Sequence, residues 1–365
     1  MDDTKKPKFL QVISRSEEKL LDISADIVGN PPTSQDFAFT HAVLCQVGLP
    51  RSKVEGREFM RHSGDAWINV QAGYLDEGKG AVAQPVPYGA MPRLALAWAS
   101  TYALRHKTRE IPIGGSANEF IRLMLGDDGG GRQYTTLRKQ LHALAACRLQ
   151  IGYKGRTFNG QPIEQFDAWL VNRSAKGQAP LWPGVLLLSQ SYFNDLQSGA
   201  SVPLDNRALH ALRGSALALD VYLWLARRLH YIPAKNPVFL RWQTLREQFG
   251  QEYAGKEAVK DFKKEFLSAL QKVLVVYPTA NVSVVSGGLL LSCSPPPISK
   301  KIIPASNKEV VDGGGEILAP LLPCYSRAKI RGYEGEVFPL HAKRALLNHS
   351  SSRRRRGTEV VKRCP

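Results

Sequence analysis

Apolar residues at helical spacing predict a helix from Thr135 to Cys147. Leu137, Leu141, Leu144 and Ala145 recur at i, i+4, i+7 and i+8, so they would share one buried stripe. The opposite side would carry Thr135, Arg138, Lys139 and His142. The Thr135 hydroxyl is placed to accept a hydrogen bond from an amide of the first turn, so the helix is expected to begin there. The result is an amphipathic helix with a basic outer face.

The residues after this helix alternate in the manner of a strand. Leu149, Ile151 and Tyr153 are bulky and apolar, whereas Lys154 and Arg156 lie in the turn that follows. A basic helix beside a basic hairpin suits a DNA major groove and its flanking phosphates. We therefore interpret the pair as a recognition helix and its wing. The alternative is that Arg138 and Lys139 are only the solvated side of an ordinary helix.

The same pattern occurs a second time, from Lys256 to Tyr277. Its apolar stripe is Phe262, Phe266, Ala269, Leu270 and Val273, and its basic stripe is Lys256, Lys260, Lys263 and Lys264. A shift of 125 positions superposes Leu137 on Phe262, Leu141 on Phe266, Arg138 on Lys263, Lys139 on Lys264 and Ile151 on Val276. The similarity continues upstream, where Leu94-Ala95-Leu96 matches Leu217-Ala218-Leu219 and Ile111 to Ile113 matches Val238 to Leu240. The fold class predicted is α+β, with tandem winged helix-turn-helix domains.

Patterns elsewhere complete the predicted organisation. Ser14 and Glu17 have capping-box spacing ahead of a short helix in an N-terminal arm, residues 1–35. The first winged-helix domain, 36–175, would begin with a helix from Asp36 to Val47, continue with two strands between Arg57 and Tyr74, and end with a wing strand from Ile163 to Val171. Asn172 to Pro183 is a connector by composition. The second winged-helix domain, 176–299, would close with a hairpin at Ser286-Gly287-Gly288, before a disordered basic tail, 300–365.

Charge supports a polyanionic partner. The net charge is +17, and Lys300 to Pro365 supplies +8 of it through fourteen Lys or Arg against six Asp or Glu. The remaining +9 keeps the rest of the chain basic. Neither basic helix has an exposed apolar face for lipid, so nucleic acid is favoured over a membrane surface.

Catalytic and metal motifs are weak. The five cysteines show no metal-ligand spacing, and the eight histidines form no paired motif, so no metal, no cofactor and no catalytic residue are predicted. Gly126 to Gln133 imitates a phosphate-binding loop, but Arg132 and Gln133 replace its Lys and its Ser or Thr. The first residues are charged and no apolar run is long enough for a membrane span, so a cytoplasmic protein is expected.

Several short sequence segments together resemble a known family. They are Leu49-Pro50-Arg51, Tyr88 to Leu96 with Pro92-Arg93, Leu181-Trp182-Pro183, Val202 to Asp205, and Ser215 to Tyr222 with Trp224. As a set, over roughly Phe37 to Pro297, they resemble the RepA replication initiators of broad-host-range bacterial plasmids. The resemblance implies binding to repeated origin sites (iterons), help with duplex opening, and recruitment of the host initiator and replicative helicase. It also implies self-repression as a homodimer.

The resulting hypothesis is a DNA-binding initiator and not an enzyme. Its expected contacts with double-stranded DNA are Arg132, Thr135, Thr136, Arg138, Lys139, His142, Lys154, Arg156, Lys256, Lys260, Lys263 and Lys264. Two helices in adjacent major grooves would span about 20 base pairs. The alternatives are a winged-helix transcriptional repressor, a DNA-nicking enzyme and a protein-interaction scaffold.

Overall fold

The computed structural model describes residues 14–77, 80–114, 116–125, 131–153, 155–166 and 184–298. The predicted tail from Lys300 and the predicted contact Lys154 lie outside these residues, as do the side chains of Arg132 and Arg156.

The described residues form a mixture of helices and strands. The helices are α1 (Arg15–Gly29), α2 (Ala90–His106), α3 (Ala117–Leu125), α4 (Gly131–Ala146), α5 (Gln190–Gln197), α6 (Asn206–Leu212), α7 (Ala216–Arg228), α8 (Trp242–Phe249) and α9 (Ala258–Val276). The strands are β1 (Phe37–His41), β2 (Glu58–Ser63), β3 (Ala66–Gln71), β4 (Tyr74–Asp76), β5 (Ala81–Ala83), β6 (Glu110–Gly114), β7 (Arg148–Tyr153), β8 (Arg156–Gly160), β9 (Ile163–Phe166), β10 (Gly184–Leu188), β11 (Ser201–Asp205), β12 (Val238–Arg241), β13 (Val282–Val285) and β14 (Gly288–Leu291). The mixture is α+β, as predicted.

Two modules of the same element order lie in tandem. The first module consists of α2, β6, α3, α4, β9 and β10, and its strands are ordered β6-β10-β9. The second module consists of α7, β12, α8, α9, β13 and β14, and its strands are ordered β12-β14-β13. In each module the last strand therefore lies between the other two. The duplication inferred from the sequence is thus present as a repeated order of helices and strands.

The hairpin after α4, which the sequence predicted to be a wing, does not belong to the sheet of the first module. Strands β7 and β8 instead belong to a separate antiparallel sheet ordered β2-β3-β7-β8, in which Ile68 of β3 faces Ile151 of β7. The superposition of Ile151 on Val276 is also wrong, because Ile151 lies in a strand and Val276 in α9. Alternation marks a strand, but it does not identify the partner strand.

The predicted connector, Asn172 to Pro183, lies outside the described residues, and the strands on either side of it belong to one sheet. Residue 166 ends β9 and residue 184 begins β10, and these two strands pair antiparallel with Leu186 opposite Phe166. The predicted boundary between 175 and 176 therefore separates two paired strands of the first module. Composition alone could not distinguish a loop within a sheet from a link between domains.

The segment from Asp36 to Val47 is not the predicted helix. Phe37–His41 forms β1, which pairs with β11 along its whole length, and Ala42–Cys45 adds a short 3-10 helix. Aromatic and β-branched residues in this stretch fit a buried strand, and all five residues of β1 are buried. Pairing with β11 therefore makes this segment a strand and not a helix.

Helix α1 is docked and does not extend as a free arm. Its start follows the predicted capping box, since the Ser14 hydroxyl accepts from the Glu17 amide and the Glu17 carboxylate accepts from the Ser14 amide at 3.0 Å. Leu20 and Ile27 pack against the core, and the Ser24 hydroxyl donates to the Val275 carbonyl of α9 at 2.6 Å. Its apolar stripe is thereby covered by α6 and α9.

Candidate nucleic-acid interface

Helix α4 begins earlier than its sequence pattern predicted. It starts at Gly131, so Thr135 lies inside the helix and is not its N-cap. Tyr134 packs against the core three residues before the buried Leu137, which extends the apolar stripe towards the N-terminus. Burial of this extra residue favours the longer helix over one that starts at the threonine.

Only the N-terminal half of α4 has an exposed side. Thr135, Thr136 and Lys139 are exposed, and Arg138 is half-buried. From residue 140 to residue 147 every side chain is buried. The buried Gln140 side chain accepts a hydrogen bond from the Tyr88 amide at 2.7 Å, which fixes this end of α4 beside the entry to α2.

His142 does not lie on the exposed face that the sequence predicted. It is buried, with its Nδ1 3.2 Å from the Glu77 carboxylate and its ring 5.6 Å from the Phe166 ring. The residues after β4 and in β9 cover this side of the helix, which helical spacing alone could not reveal. His142 is therefore a packing residue and not a DNA contact.

The surroundings of His142 set its charge. Burial lowers the pKa of His142 below its usual value, and the positive charge of Arg138 lowers it further against the opposing effect of Glu77. Hydrogen bonds from Gln84 and His142 lower the pKa of Glu77. At neutral pH a carboxylate therefore faces a neutral imidazole, and Arg138 lies near enough to act on both electrostatically.

Helix α9 presents its lysines along an open side. Lys256 precedes the helix, and Lys260, Lys263 and Lys264 lie within it; all four are exposed. Lys260 forms an ion pair with Glu257 at 3.1 Å, and the Lys263 ammonium lies 5.0 Å from the centre of the Trp242 ring. A shallow surface depression is lined by Lys256, Glu257, Val259, Lys260, Lys263, Lys264 and Leu267.

The opposite side of α9 holds it in the second module. Phe262 and Phe266 are buried with their rings 5.5 Å apart, and Phe249 of α8 lies 5.5 Å from Phe266. Aromatic packing of this kind fixes both position and rotation of the helix, so the lysines project from a firmly seated element.

Sequence reasoning missed several charged residues around these helices. Asp261 and Glu265 are exposed on α9 among the lysines, and Lys272 adds a further exposed cation near its end. All three were visible in the helical pattern. Glu77, which covers His142, stands 65 positions away, and nothing in the sequence links the two.

The predicted contacts thus form two separate groups. On α4 the exposed members are Thr135, Thr136 and Lys139; on and before α9 they are Lys256, Lys260, Lys263 and Lys264. Within the described ranges no group of three or more His, Cys, Asp or Glu residues is arranged to hold a metal ion. Among the described helices, none combines the length and apolarity that a membrane crossing requires.

The fold and its exposed helices define a protein of two repeated α+β modules with basic outer surfaces. Residues 86–243 match the family model described as "Plasmid encoded RepA protein". This part of the chain is similar to plasmid-encoded RepA proteins, so the resemblance to plasmid replication initiators is confirmed. The matched region includes the first module and α7, and it ends before α9. The match supports a role in initiating plasmid DNA replication.

Two solved structures are similar to part of this chain. Domains 2 and 3 of RctB, in selenomethionine form, are 11% identical over 68% of this chain and 84% of that chain, with a TM-score of 0.41. A second structure of RctB domains 2–3 is 12% identical over 69% of this chain and 97% of that chain, with a TM-score of 0.42. No curated protein matches the chain.

Proposed function

We propose that this protein initiates plasmid replication by binding repeated double-stranded sites (iterons) at the origin through two winged-helix modules. The observation that carries the proposal is the exposure of Lys256, Lys263 and Lys264 beside a firmly packed α9 in a chain with a RepA-type region. The lysines supply the charge that phosphates require, and the rigid helix supplies their position.

The order of helices and strands in each module supports its assignment as a winged helix-turn-helix. In the second, α8 and α9 are the helix pair, and β13 and β14 form a hairpin whose turn contains Gly287 at φ +84°. In the first, α3 and α4 are the helix pair, and the wing strands are β9 and β10. The N-terminal part of a recognition helix reaches base edges, and the exposed Thr135, Thr136 and Lys139 lie in the N-terminal half of α4.

The two modules together would cover about 20 base pairs, by the spacing rule for paired helix-turn-helix units. Thr135, Thr136 and Lys139 would contact one major groove, and Lys256, Lys263 and Lys264 the next. Lys154 and Arg156 remain proposed backbone contacts, and Arg132, Arg138 and Lys260 remain proposed DNA contacts. Origin opening would follow from binding, with a host initiator, the replicative helicase and a second copy of this chain as partners.

Salt-dependent binding tests the proposal. The full chain would be titrated onto DNA carrying the direct repeats that flank its coding region, and onto unrelated DNA, over a range of salt concentrations. The triple variant K256A/K263A/K264A should reduce the magnitude of the log–log salt slope by about 3, since each phosphate contact contributes about 0.9. The variant K19A/K53A/K235A removes three exposed lysines elsewhere and should leave the slope nearly unchanged.

A replication assay separates initiation from repression. A plasmid bearing the flanking repeats should replicate when the wild-type chain is supplied and fail with the triple α9 variant. Binding without support of replication would instead favour a transcriptional repressor. Equal slopes for the two triple variants would refute the assignment of α9 to DNA.

A further inference from the structure

Three of the sequence segments that carry the family resemblance meet at one place between the two modules. They are Leu49-Pro50-Arg51, the start of α2 around Arg93, and the segment of α7 around Asp220. Arg93 belongs to the first module and Asp220 to the second, and both side chains are buried. The proposed contacts with DNA do not explain why these residues are present.

The Arg93 guanidinium has a hydrogen-bond acceptor for each of its five N–H groups. Nε and Nη2 donate to the two carboxylate oxygens of Asp220 at 2.6 and 2.9 Å. Nη1 donates to the carbonyls of Pro50 and Gly89 at 3.1 and 2.6 Å, and Nη2 also donates to that of Leu49 at 2.5 Å. A bidentate pair of this kind fixes direction as well as distance.

Further contacts surround the Arg93–Asp220 pair and hold the loop before β2. A Cβ added to Gly48 would lie 2.7 Å from the Asp220 carboxylate, so only glycine leaves room for that carboxylate. The Arg51 Nε lies 3.3 Å from Glu252, which also accepts from Arg61. Arg61 in turn donates to the carbonyls of Gly48 and Leu49 at 3.1 and 3.2 Å. Residues of the loop before β2 are thus held by both modules.

Stability alone does not explain this arrangement. A buried ion pair often contributes little net stability relative to apolar residues of similar volume, because both charges lose their hydration. Its better-supported effect is to select one geometry among several packed alternatives. Here the selected geometry is that of α2 against α7, which pack directly on α4 and α9 respectively.

We propose that Arg93 and Asp220 form a module clasp, a buried pair that fixes the spacing and rotation of the two modules relative to each other. The clasp positions α4 and α9 for two adjacent grooves, and so it sets the spacing of half-sites that the protein accepts. Arg93 and Asp220 are positioning residues and do not touch DNA. The proposal rests on the function proposed above for its effect on DNA, but its effect on geometry is independent.

The first experiment measures geometry without DNA. Spin labels at Lys139→Cys and Lys264→Cys, in the full chain with Cys293, Cys324 and Cys364 replaced by Ser, report the separation of α4 and α9 by pulsed electron resonance. The native clasp should give one narrow distance distribution. The double variant R93M/D220L, which removes both charges together, should broaden or shift it. An unchanged narrow distribution would overturn the clasp.

The second experiment measures spacing on DNA. The native protein should bind a site of natural spacing at least about 10-fold more tightly than the same site with five base pairs inserted, because the insertion turns one half-site by about half a helical turn. R93M/D220L should bind both sites alike while keeping its affinity for a single half-site. Retained discrimination in the variant would contradict the clasp, whereas absence of repeat binding by the native chain would refute only the proposed function.

Two further variants keep the test decisive. Far-ultraviolet circular dichroism establishes that R93M/D220L is folded; if it is not, Asp220→Asn serves instead, since it keeps one acceptor for Arg93 but removes the charge. Arg93→Lys keeps the positive charge but loses the planar guanidinium group that donates to both carboxylate oxygens of Asp220. It should therefore also broaden the distance distribution. A purely electrostatic link would leave the Arg93→Lys distribution narrow, and that result would contradict the bidentate geometry as the positioning element.

Discussion

Helices α4 and α9 occupy the same place in their modules but differ in how much surface they expose. Both have an apolar stripe and a basic opposite side in sequence. Helix α4 is exposed only in its N-terminal half, because the residues from 140 to 147 are buried on every side. Helix α9 keeps exposed residues as far as Lys272.

The difference follows from what packs around each helix. Helix α4 lies against α2, α3, β4 and β9, and Glu77 after β4 covers His142, so even the polar side of its C-terminal half is buried. Helix α9 is held by α7, α8, α6 and α1 along one side. Amphipathic spacing therefore shows which side of a helix faces the core. Whether the other side is exposed to solvent depends on the segments that pack around the helix.

The largest change in stability is expected when a buried residue of either helix is replaced by alanine. Phe266→Ala in α9 should lower the free energy of unfolding by about 3–5 kcal/mol, and Leu141→Ala in α4 by about 2–5 kcal/mol, because each leaves a cavity. Both side chains are essentially inaccessible to solvent. Urea unfolding measures both changes. A loss below about 1 kcal/mol in either variant would contradict that burial.

Removal of a single exposed lysine should have the next largest effect, and the effect should be on DNA binding. Lys139→Ala in α4 and Lys263→Ala in α9 should each reduce the salt slope of DNA binding by about 0.9 if the side chain contacts one phosphate. A residue that reads bases would instead relax sequence preference, with a cost of about 1–3 kcal/mol on the preferred site. Fluorescence anisotropy on repeat and unrelated DNA distinguishes the two.

Arg138→Ala should differ from Lys139→Ala because Arg138 is half-buried beside the Glu77–His142 pair. Its removal should raise the pKa of His142, since a neighbouring positive charge is lost. Histidine titration by nuclear magnetic resonance checks this shift. If the pKa of His142 does not rise, Arg138 points away from the pair, and it would then be a stronger candidate for a DNA contact.

Acidification should expose the packing role of His142. Its folded pKa lies below the usual 6.5, so as pH falls below 6.5 the unfolded chain binds more protons and stability is lost. The lowered pKa of Glu77 acts in the same direction but only below 4.5, so pH 6.5 to 5 isolates the histidine. His142→Gln should flatten the stability curve in that window, as measured by urea unfolding. An equally steep curve would contradict a buried neutral imidazole.

The smallest effect is expected for Lys260→Ala. This side chain is paired with Glu257, and both are largely exposed to solvent, so the pair contributes little to folding. Its loss should leave the urea midpoint unchanged and weaken DNA binding less than Lys263→Ala does. A larger loss of affinity than for Lys263 would place Lys260, and not Lys263, at the centre of the α9 contact.

The sequence by itself determined the local features of this protein. The capping box at Ser14 and Glu17, the apolar stripes of α4 and α9 and the repeated element order depend on spacing within one segment, and each is found in the structure. The hairpin β13–β14 was also predictable, because Gly287 tolerates the positive φ that its tight turn requires.

Tertiary structure decided the features that depend on distant partners. They are the pairing of β7 with β3, the pairing of β9 with β10, the burial of His142 by Glu77 and the contact of Arg93 with Asp220, and each joins residues far apart in the chain. Local periodicity records whether a side chain faces inwards, but not which segment covers it. Strand partners and buried ion pairs are set by the packing of the whole chain, and this is why they could not be derived from spacing alone.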